Sequence, residues 1–420
     1  MDYRIFPPEE ILETTVRLPL SKSVAARVLV LGALTQGAPA PDAYALPDCT
    51  DTRVLGAALQ RRSGEVNVAD CGTAARFLTA FFAAIEGTDV LLTGTPRMCE
   101  RPIAPLVAAL RSLGADIEYA GTEGHLPLRI RGRRLEGGEV TLDARASSQF
   151  ASALAMIAPV CSRGLRIALG GEIGSKPYLK MTMAMLAARG IDVDLAGYTL
   201  SVGPGPLRAV RPEAQSDWSA ASFWYSIAAV TAGWVTLEGM TADRLQGDSV
   251  LCELGPRFGV LTEFTDEGAE LSATPDIYSR LDLNMADWPD LVPPLAVTAY
   301  LAGIPFRFTG VENLRYKESD RLEALSRGLL ACGCVTEQAP DCLAWEGARV
   351  PLTEIPVIDP RADHRIAMAF AAASVFIPGI IIKDTEAAAK SYPAFWDDLR
   401  AAGFTLTDAS EPLPGPEHEA

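Results

Sequence analysis

The chain has 420 residues, of which 49% are apolar, so it can fill more than one hydrophobic core and is neither disordered nor fibrous. It carries 53 acidic against 37 basic residues, a formal charge of -16, which excludes a general affinity for nucleic acid or an anionic membrane. Eight cysteines without a CxxC pair and only three histidines argue against a disulfide framework or a zinc site, and no bound metal is expected.

The N-terminal MDYRIFPPEE lacks the basic and apolar regions of an export signal, and the uncharged run Trp218 to Leu237 is broken by Ser, Thr and Gly. A soluble, cytoplasmic protein with no membrane partner is the expectation.

Along the chain one phrase recurs: an Ala-rich apolar helix, a glycine, then a short β-branched strand. Its copies centre on Gly37, Gly87, Gly164, Gly233, Gly303 and Gly379. A second phrase, an amphipathic helix closed by glycine and followed by an alternating strand, interleaves with it, as in LVAALRSLGADIEY and ALSRGLLACGCVTE. The glycines suit the left-handed position after a helix C-terminus. Both series repeat at roughly seventy residues, longer than solenoid repeats. Six units divide into three plus three, and the Gly- and Pro-rich stretch 203–217 is the natural linker between them. Two compact α/β domains hide more edges than a solenoid of six would. A doubly wound dinucleotide fold would need a GxGxxG fingerprint, which is absent.

Polar clusters sit just ahead of the apolar helices, where free backbone N–H groups and the helix dipole favour anions. In order they are SKS with Arg27 one turn on, DCGT at 70–73, Arg101 before a Pro-initiated helix, SSQ at 147–149 and SKPY at 175–178. The second half adds Asp290, the run LRYKESDR at 314–321, DHR at 363–365 and Lys390. Taken singly, each reads equally as an ordinary N-cap or a solvated first turn. Taken together they point to one shared site for small anions, with Lys and Arg concentrated against the global charge.

Read in sequence, SKS…R, GTAxRF, ERPIxPL, SSQ, SKPY, PD, KExDRL, DHRxAM and AKSYP resemble the 5-enolpyruvylshikimate-3-phosphate synthase family from about residue 15 to about 400. The resemblance implies two domains, each of three βαβαββ units, in an enolpyruvyl transferase-like inverse barrel. Residues 19–216 would form the inserted N-terminal-type domain, with 1–18 joining 217–420 in the other. It further implies transfer of the enolpyruvyl group of phosphoenolpyruvate to the 5-hydroxyl of shikimate 3-phosphate, with phosphate released and no cofactor, in a protein expected to be monomeric.

By that resemblance Ser23 and Arg27 would bind the shikimate carboxylate, and Ser147, Ser148 and Ser175 its phosphate. Tyr178, Asp290, Asn313 and Lys317 would line the ring. Lys22, Gly72, Arg101, Gln149 and Lys390 would hold the phosphate of phosphoenolpyruvate, and Arg321 and Arg365 its carboxylate. Asp290 and Glu318 would be the acid–base pair, helped by His364, with Lys22 stabilising the departing phosphate. Asp70-Cys71 stands where the family usually has Asn-Ala, Phe77 where proline is common, and Pro294 where a Thr is usual. A rival within the fold, UDP-N-acetylglucosamine enolpyruvyl transferase, would use a loop cysteine, for which Cys99 is the candidate here. A binding protein without catalysis would have lost an acid–base residue, and none is missing. With cations expected on both faces of a cleft, self-repulsion should favour an open resting form that anions close.

Overall fold

The structure, a computed structural model, describes residues 1–37, 44–143, 147–171, 173–210 and 215–411. Among them are five four-stranded sheets that share one plan. In each, two strands run parallel and two further strands add antiparallel to one edge; a helix joins the parallel pair directly in four of the sheets, whereas in the fifth the elements of the other core lie between the two strands in sequence. Ser63–Asn67, Asp89–Thr93, Leu128–Arg131 and Asp116–Tyr119 form one such sheet, with Gly72–Ala84 as the crossover helix. Two sheets borrow strands from the beginning of the chain. Glu13–Val16 runs parallel to Trp234–Glu238, and Tyr3–Phe6 lies between Ile380–Ile382 and Thr405–Asp408. The strand expected after Gly37 falls on residues 38–43, and part of the expected linker on 211–214, both outside the described residues.

Apolar side chains gather in two separate cores. One joins Ile5, Leu12, Val16 and Leu18 to residues from Trp218 to Phe404; the other runs from Val24 to Leu207. The chain passes between them twice, and the two passages lie side by side: Ser21 N–H donates to Gln215 O at 2.7 Å and Asp217 N–H to Pro19 O at 2.9 Å.

Each core is built on helices that are apolar on nearly every face, a composition that a half-exposed helix does not have. Gly72–Ala84 (GTAARFLTAFFAA) packs against Ser148–Ile157, and Trp218–Thr231 against Val292–Leu301, with alanines allowing close approach. Burying Phe77, Phe81 and Phe82 completely contributes roughly 1.5–3 kcal/mol apiece. Strands over these helices turn their alternate residues inward, as in Leu165–Gly170 with its strict buried–exposed alternation.

Gly114, Gly190, Gly303, Gly333 and Gly403 all take the left-handed conformation just past a helix end. Gly233 does not. Ala232 adopts that conformation one residue earlier, and a Cβ on Gly233 would lie 2.6 Å from Leu12 Cβ. This glycine makes room for the N-terminal segment, whose Leu12 O accepts from Trp234 N–H at 2.8 Å.

Candidate active site

The polar helix starts that the sequence scatters over the chain meet at one cavity between the two cores. Lys22 and Ser23 open the helix Lys22–Leu34, Gly72 and Thr73 open Gly72–Ala84, and Ser148 and Gln149 open Ser148–Ile157. Ser175 precedes Lys176–Ala188, Arg321 begins Arg321–Ala331, and His364 and Arg365 begin His364–Ala369. Asp290, Asn313, Lys317, Glu318, Ser147, Tyr178, Arg27 and Arg101 complete the expected wall. Seven cationic side chains and three carboxylates line the cavity, a local positive excess in an acidic protein. Aligned helix N-termini add to it.

The free volume is about 100 Å3, against roughly 300 Å3 or more for a typical ligand pocket. Ion pairs occupy the space. Asp290 accepts from Arg321 Nη1 and Arg365 Nη2, each at 2.9 Å, with Lys317 Nζ 3.6 Å away and the Tyr178 hydroxyl at 3.3 Å. Burial opposes the charge on Asp290, yet Arg365, Lys317 and Arg321 outweigh it and hold the carboxyl far below the usual carboxylate range. Glu318 accepts from Arg321 Nη2 at 2.8 Å. Burial works against its charge too, but Arg321, Arg101 and Lys390 prevail and hold it well below its ordinary value. Both groups are therefore carboxylates at neutral pH. The fixed charge of Arg321 is balanced twice more by Asp363, through Nε at 2.8 Å and Nη2 at 3.3 Å.

Lys22 is tied to Asp51, its Nζ 3.0 Å from Oδ2. Burial pulls the Lys22 ammonium down, but Asp51 more than offsets this and leaves it raised. Asp51 is 5% exposed and also lies 3.1 Å from Lys390 Nζ. Lys390 lies beside the cavity and not on its wall. Its ammonium is engaged by Asp51, by Asp70 Oδ2 at 2.7 Å and by Asp70 O at 3.2 Å. An Asn at position 70 could not supply that charge, so the Asp70 departure has a direct partner in the second domain. Of the cations expected to repel one another, Lys22, Lys390, Lys317, Arg321 and Arg365 are thus already paired with carboxylates.

Three guanidinium groups of the cavity wall have no carboxylate partner among the described residues. Arg27, 2% exposed, donates only to neutral oxygens: Thr182 Oγ1 at 2.7 Å, Ser23 O at 2.8 Å, Tyr178 O at 2.9 Å and Ser152 Oγ at 3.5 Å. Burial lowers it to about 10, still fully protonated. Arg101 gives Nε to Tyr316 O at 3.1 Å and leaves Nη1 without an acceptor. Arg76 stacks over Phe150, with Nε and Nη1 buried and unaccepted. Burial, then the neighbouring Arg101, lowers Arg76 to about 9. Unmet buried donors on two adjacent guanidinium groups are the chemistry of a site that takes an anion. Gly72 is what lets them in: a Cβ there would lie 2.3 Å from Arg76 Nη1 and 2.7 Å from Arg101 Nη1.

Sequence reasoning takes Arg76 for a structural or supporting residue and not a ligand contact, and it assigns no role to Asp51, Asp248 or Asp363. Arg76 falls one turn inside an apolar helix, where only its neighbours reveal its purpose. Ser175 has the left-handed φ of 58° without using its hydroxyl as a cap, backbone strain of the kind found at ligand sites. His364 is 1% exposed with neither ring nitrogen hydrogen-bonded. Burial first, then Lys22 and Arg365, keep its imidazole neutral.

The rival's nucleophile has no place here. Cys99 is absent from the wall and points its Sγ at Gly94 O, 3.7 Å away. Cys71 caps the helix Gly72–Ala84, its Sγ 3.4 Å from Ala74 N, and burial raises its thiol well beyond the reactive range. The Phe77 ring lies 5.5 Å from the Arg27 guanidinium, so this departure packs under a cation of the site.

Comparison with known proteins identifies the family. The family model described as EPSP synthase (3-phosphoshikimate 1-carboxyvinyltransferase) matches residues 60–399. The chain belongs to that family. Among its relatives, a 3-phosphoshikimate 1-carboxyvinyltransferase of Bacteroides fragilis is 42% identical, covering 98% of this chain and all of the relative. One from Syntrophobacter fumaroxidans is 35% identical over 92% of this chain and 96% of its own. The solved EPSP synthase of Acinetobacter baumannii superimposes with a TM-score of 0.75 at 22% identity, covering 97% of this chain and all of that one. The fold is the family's two-domain inverse barrel, and the protein is a transferase of the shikimate pathway. No described helix is long and apolar enough to cross a membrane.

Proposed function

We propose that the cavity binds shikimate 3-phosphate and phosphoenolpyruvate side by side and that residues of both domains carry the transfer. The observation behind this reading is Asp290, a carboxylate held by Arg321, Arg365, Lys317 and Tyr178 in a cavity where Arg76 and Arg101 keep unmet donors.

Arg27 with Ser23 suits the shikimate carboxylate. Ser147, Ser148 and Ser175 suit its phosphate, and Tyr178, Asn313 and Lys317 the ring hydroxyls. Gly72 N–H, Arg101, Gln149 and Lys22 take the other phosphate, with Lys390 supporting through Asp51. Arg76 joins this group.

A carboxylate of phosphoenolpyruvate entering between Arg321 and Arg365 competes with Asp290 for the same donors. Once displaced, Asp290 loses the contacts that hold its pKa down, and it becomes a stronger base for the attacking 5-hydroxyl. The phosphate likewise takes up Arg101, whose charge helps hold the Glu318 carboxyl down. Two anions close to Glu318 raise its proton affinity, which fits it to protonate the methylene carbon. In the second step the methyl group of the tetrahedral intermediate returns a proton as the C–O bond to phosphate breaks, with Lys22 balancing the charge of the leaving group. His364, neutral, donates or accepts a hydrogen bond beside these groups.

The domains in this reading are residues 19–216 and the combination of 1–18 with 217–420, hinged at the paired crossings near Leu20 and Ser216. The enzyme acts as a cytoplasmic monomer. A phosphate-release assay with each substrate omitted in turn tests the assignment. Release only when both are present is expected; release from phosphoenolpyruvate alone, or with UDP-N-acetylglucosamine and not shikimate 3-phosphate, would overturn it.

A further inference from the structure

Residues 315–318 carry Lys317 and Glu318 and span the end of one helical turn and the irregular stretch that follows it. A 3-10 helix ends at Tyr316, Lys317 has extended φ and ψ of -84° and -161°, and the next helix begins only at Arg321. Carbonyls in such a segment need donors from elsewhere. All four receive one from the other domain. Arg97 Nη2 donates to Arg315 O at 3.2 Å and to Lys317 O at 3.4 Å, Arg97 Nε to Glu318 O at 3.3 Å, and Arg101 Nε to Tyr316 O at 3.1 Å.

Arg97 and Arg101 are one turn apart, at the short helix Pro96–Glu100 and its C-cap. That helix is fixed to its own core by Met98, which is 1% exposed. The receiving segment is rooted in the opposite core through Leu314 and Leu322, both fully buried. The four hydrogen bonds can therefore form only when the two domains are together.

Arg101 also faces the cavity, but Arg97 does not line it. An arginine 40% exposed that served only solubility would be satisfied by its neighbour Glu100, one turn away at 3.0 Å. Instead one of its three nitrogens makes that pair, and the other two reach across the domain boundary to three carbonyls within four residues.

We propose that Arg97 is a positioning residue that couples domain closure to the placement of Lys317 and Glu318. It clamps their backbone from the side away from substrate, so the acid–base carboxylate and its neighbouring cation reach working geometry only in the closed form. The inference rests on the reading of this cavity as the enolpyruvyl transfer site. It adds a residue that touches neither substrate.

The test compares wild type with Arg97→Ala, Arg97→Lys and Glu100→Gln in steady-state phosphate release. Arg97→Ala should lower kcat by about tenfold to a hundredfold, the scale for a displacement of about 1 Å at a reacting group. Binding of shikimate 3-phosphate alone, measured by calorimetry, should stay within about threefold, because Arg97 makes no wall contact. Guanidinium ion at millimolar concentration should restore part of the lost kcat to Arg97→Ala and none to Arg97→Lys. Arg97→Lys, whose single ammonium cannot span three carbonyls, should fall between wild type and alanine, and it keeps the question open to test if alanine fails to fold. Glu100→Gln should leave kcat unchanged. A kcat within twofold of wild type for both Arg97 variants overturns the proposal, as does a loss carried wholly by KM. Inactivity of the wild type would instead refute the reaction assignment.

Discussion

Replacing Asp290 by asparagine separates the part proposed for it as base from its part as internal counter-ion. The amide nearly preserves shape, so Oδ1 can still accept from Arg321 or Arg365, but the negative charge is gone. Arg321 keeps Glu318 and Asp363, whereas Arg365 and Lys317 lose the only carboxylate with which each is paired among the described residues. Loss of a general base lowers turnover by about a hundredfold or more. Loss of the competitor has the opposite effect on binding. A charge-assisted hydrogen bond is worth about 1.5–3 kcal/mol, so freeing the Arg365 fork should tighten an anionic carboxylate ligand by roughly tenfold, with part of the gain taken up by relaxation of Lys317. The assay is steady-state phosphate release for kcat, with calorimetric binding of phosphoenolpyruvate in the presence of shikimate 3-phosphate. A variant that turns over at the wild-type rate, or that binds the ligand much more weakly, would refute the idea that Asp290 occupies the substrate's carboxylate position and is displaced to act.

Three further outcomes follow from the same geometry. Asp51→Asn removes the carboxylate shared by Lys22 and Lys390, and breaking such a buried pair should lower stability by about 3 kcal/mol; inorganic phosphate should recover much of the melting temperature by supplying a replacement anion, and no recovery would count against a phosphate site there. Gly72→Ala should weaken phosphoenolpyruvate by tenfold or more, because its Cβ must push aside Arg76 and Arg101, and an unchanged KM would show that those two guanidinium groups do not hold the ligand. Burial and then the charge of Asp290 raise Asp248 to about 6 from an ordinary 3.8, so the folded state binds its proton more tightly than the unfolded state does. The sign follows: Asp248 lowers stability progressively as pH rises from about 4 to about 6, and by roughly 3 kcal/mol above that. Asp248→Asn should accordingly raise the melting temperature more at pH 7.5 than at pH 4.5, and the reverse dependence would be disproof.

Much of this protein is written in local chemistry. Helix and strand periods, glycines after helix ends such as Gly114 and Gly403, and capping residues such as Asp320 and Asp363 act within a turn or two of chain, where each residue's own conformational preference decides. The repeat could be read for the same reason, since every unit must solve the same packing problem. So could the anionic character of the ligand, because a helix start with Lys, Arg or Ser has the same meaning wherever it occurs.

Other features exist only in three dimensions. That Lys22 and Lys390 share Asp51, that Arg321 is balanced by Asp290, Glu318 and Asp363, and that Lys390 stands behind the wall are consequences of which helix ends meet. Nothing at positions 22, 51 and 390 taken separately specifies their contact. Arg76 reads from its flanking sequence as an arginine inside a buried helix, and its purpose appears only beside Arg101 and Gly72. Gly233 likewise reads as a helix terminator until Leu12 is found against it. Sequence determined the elements and the kind of ligand because those depend on short-range preferences and on residue chemistry. Tertiary structure decided protonation and pairing because burial and charge proximity are set by residues hundreds of positions apart.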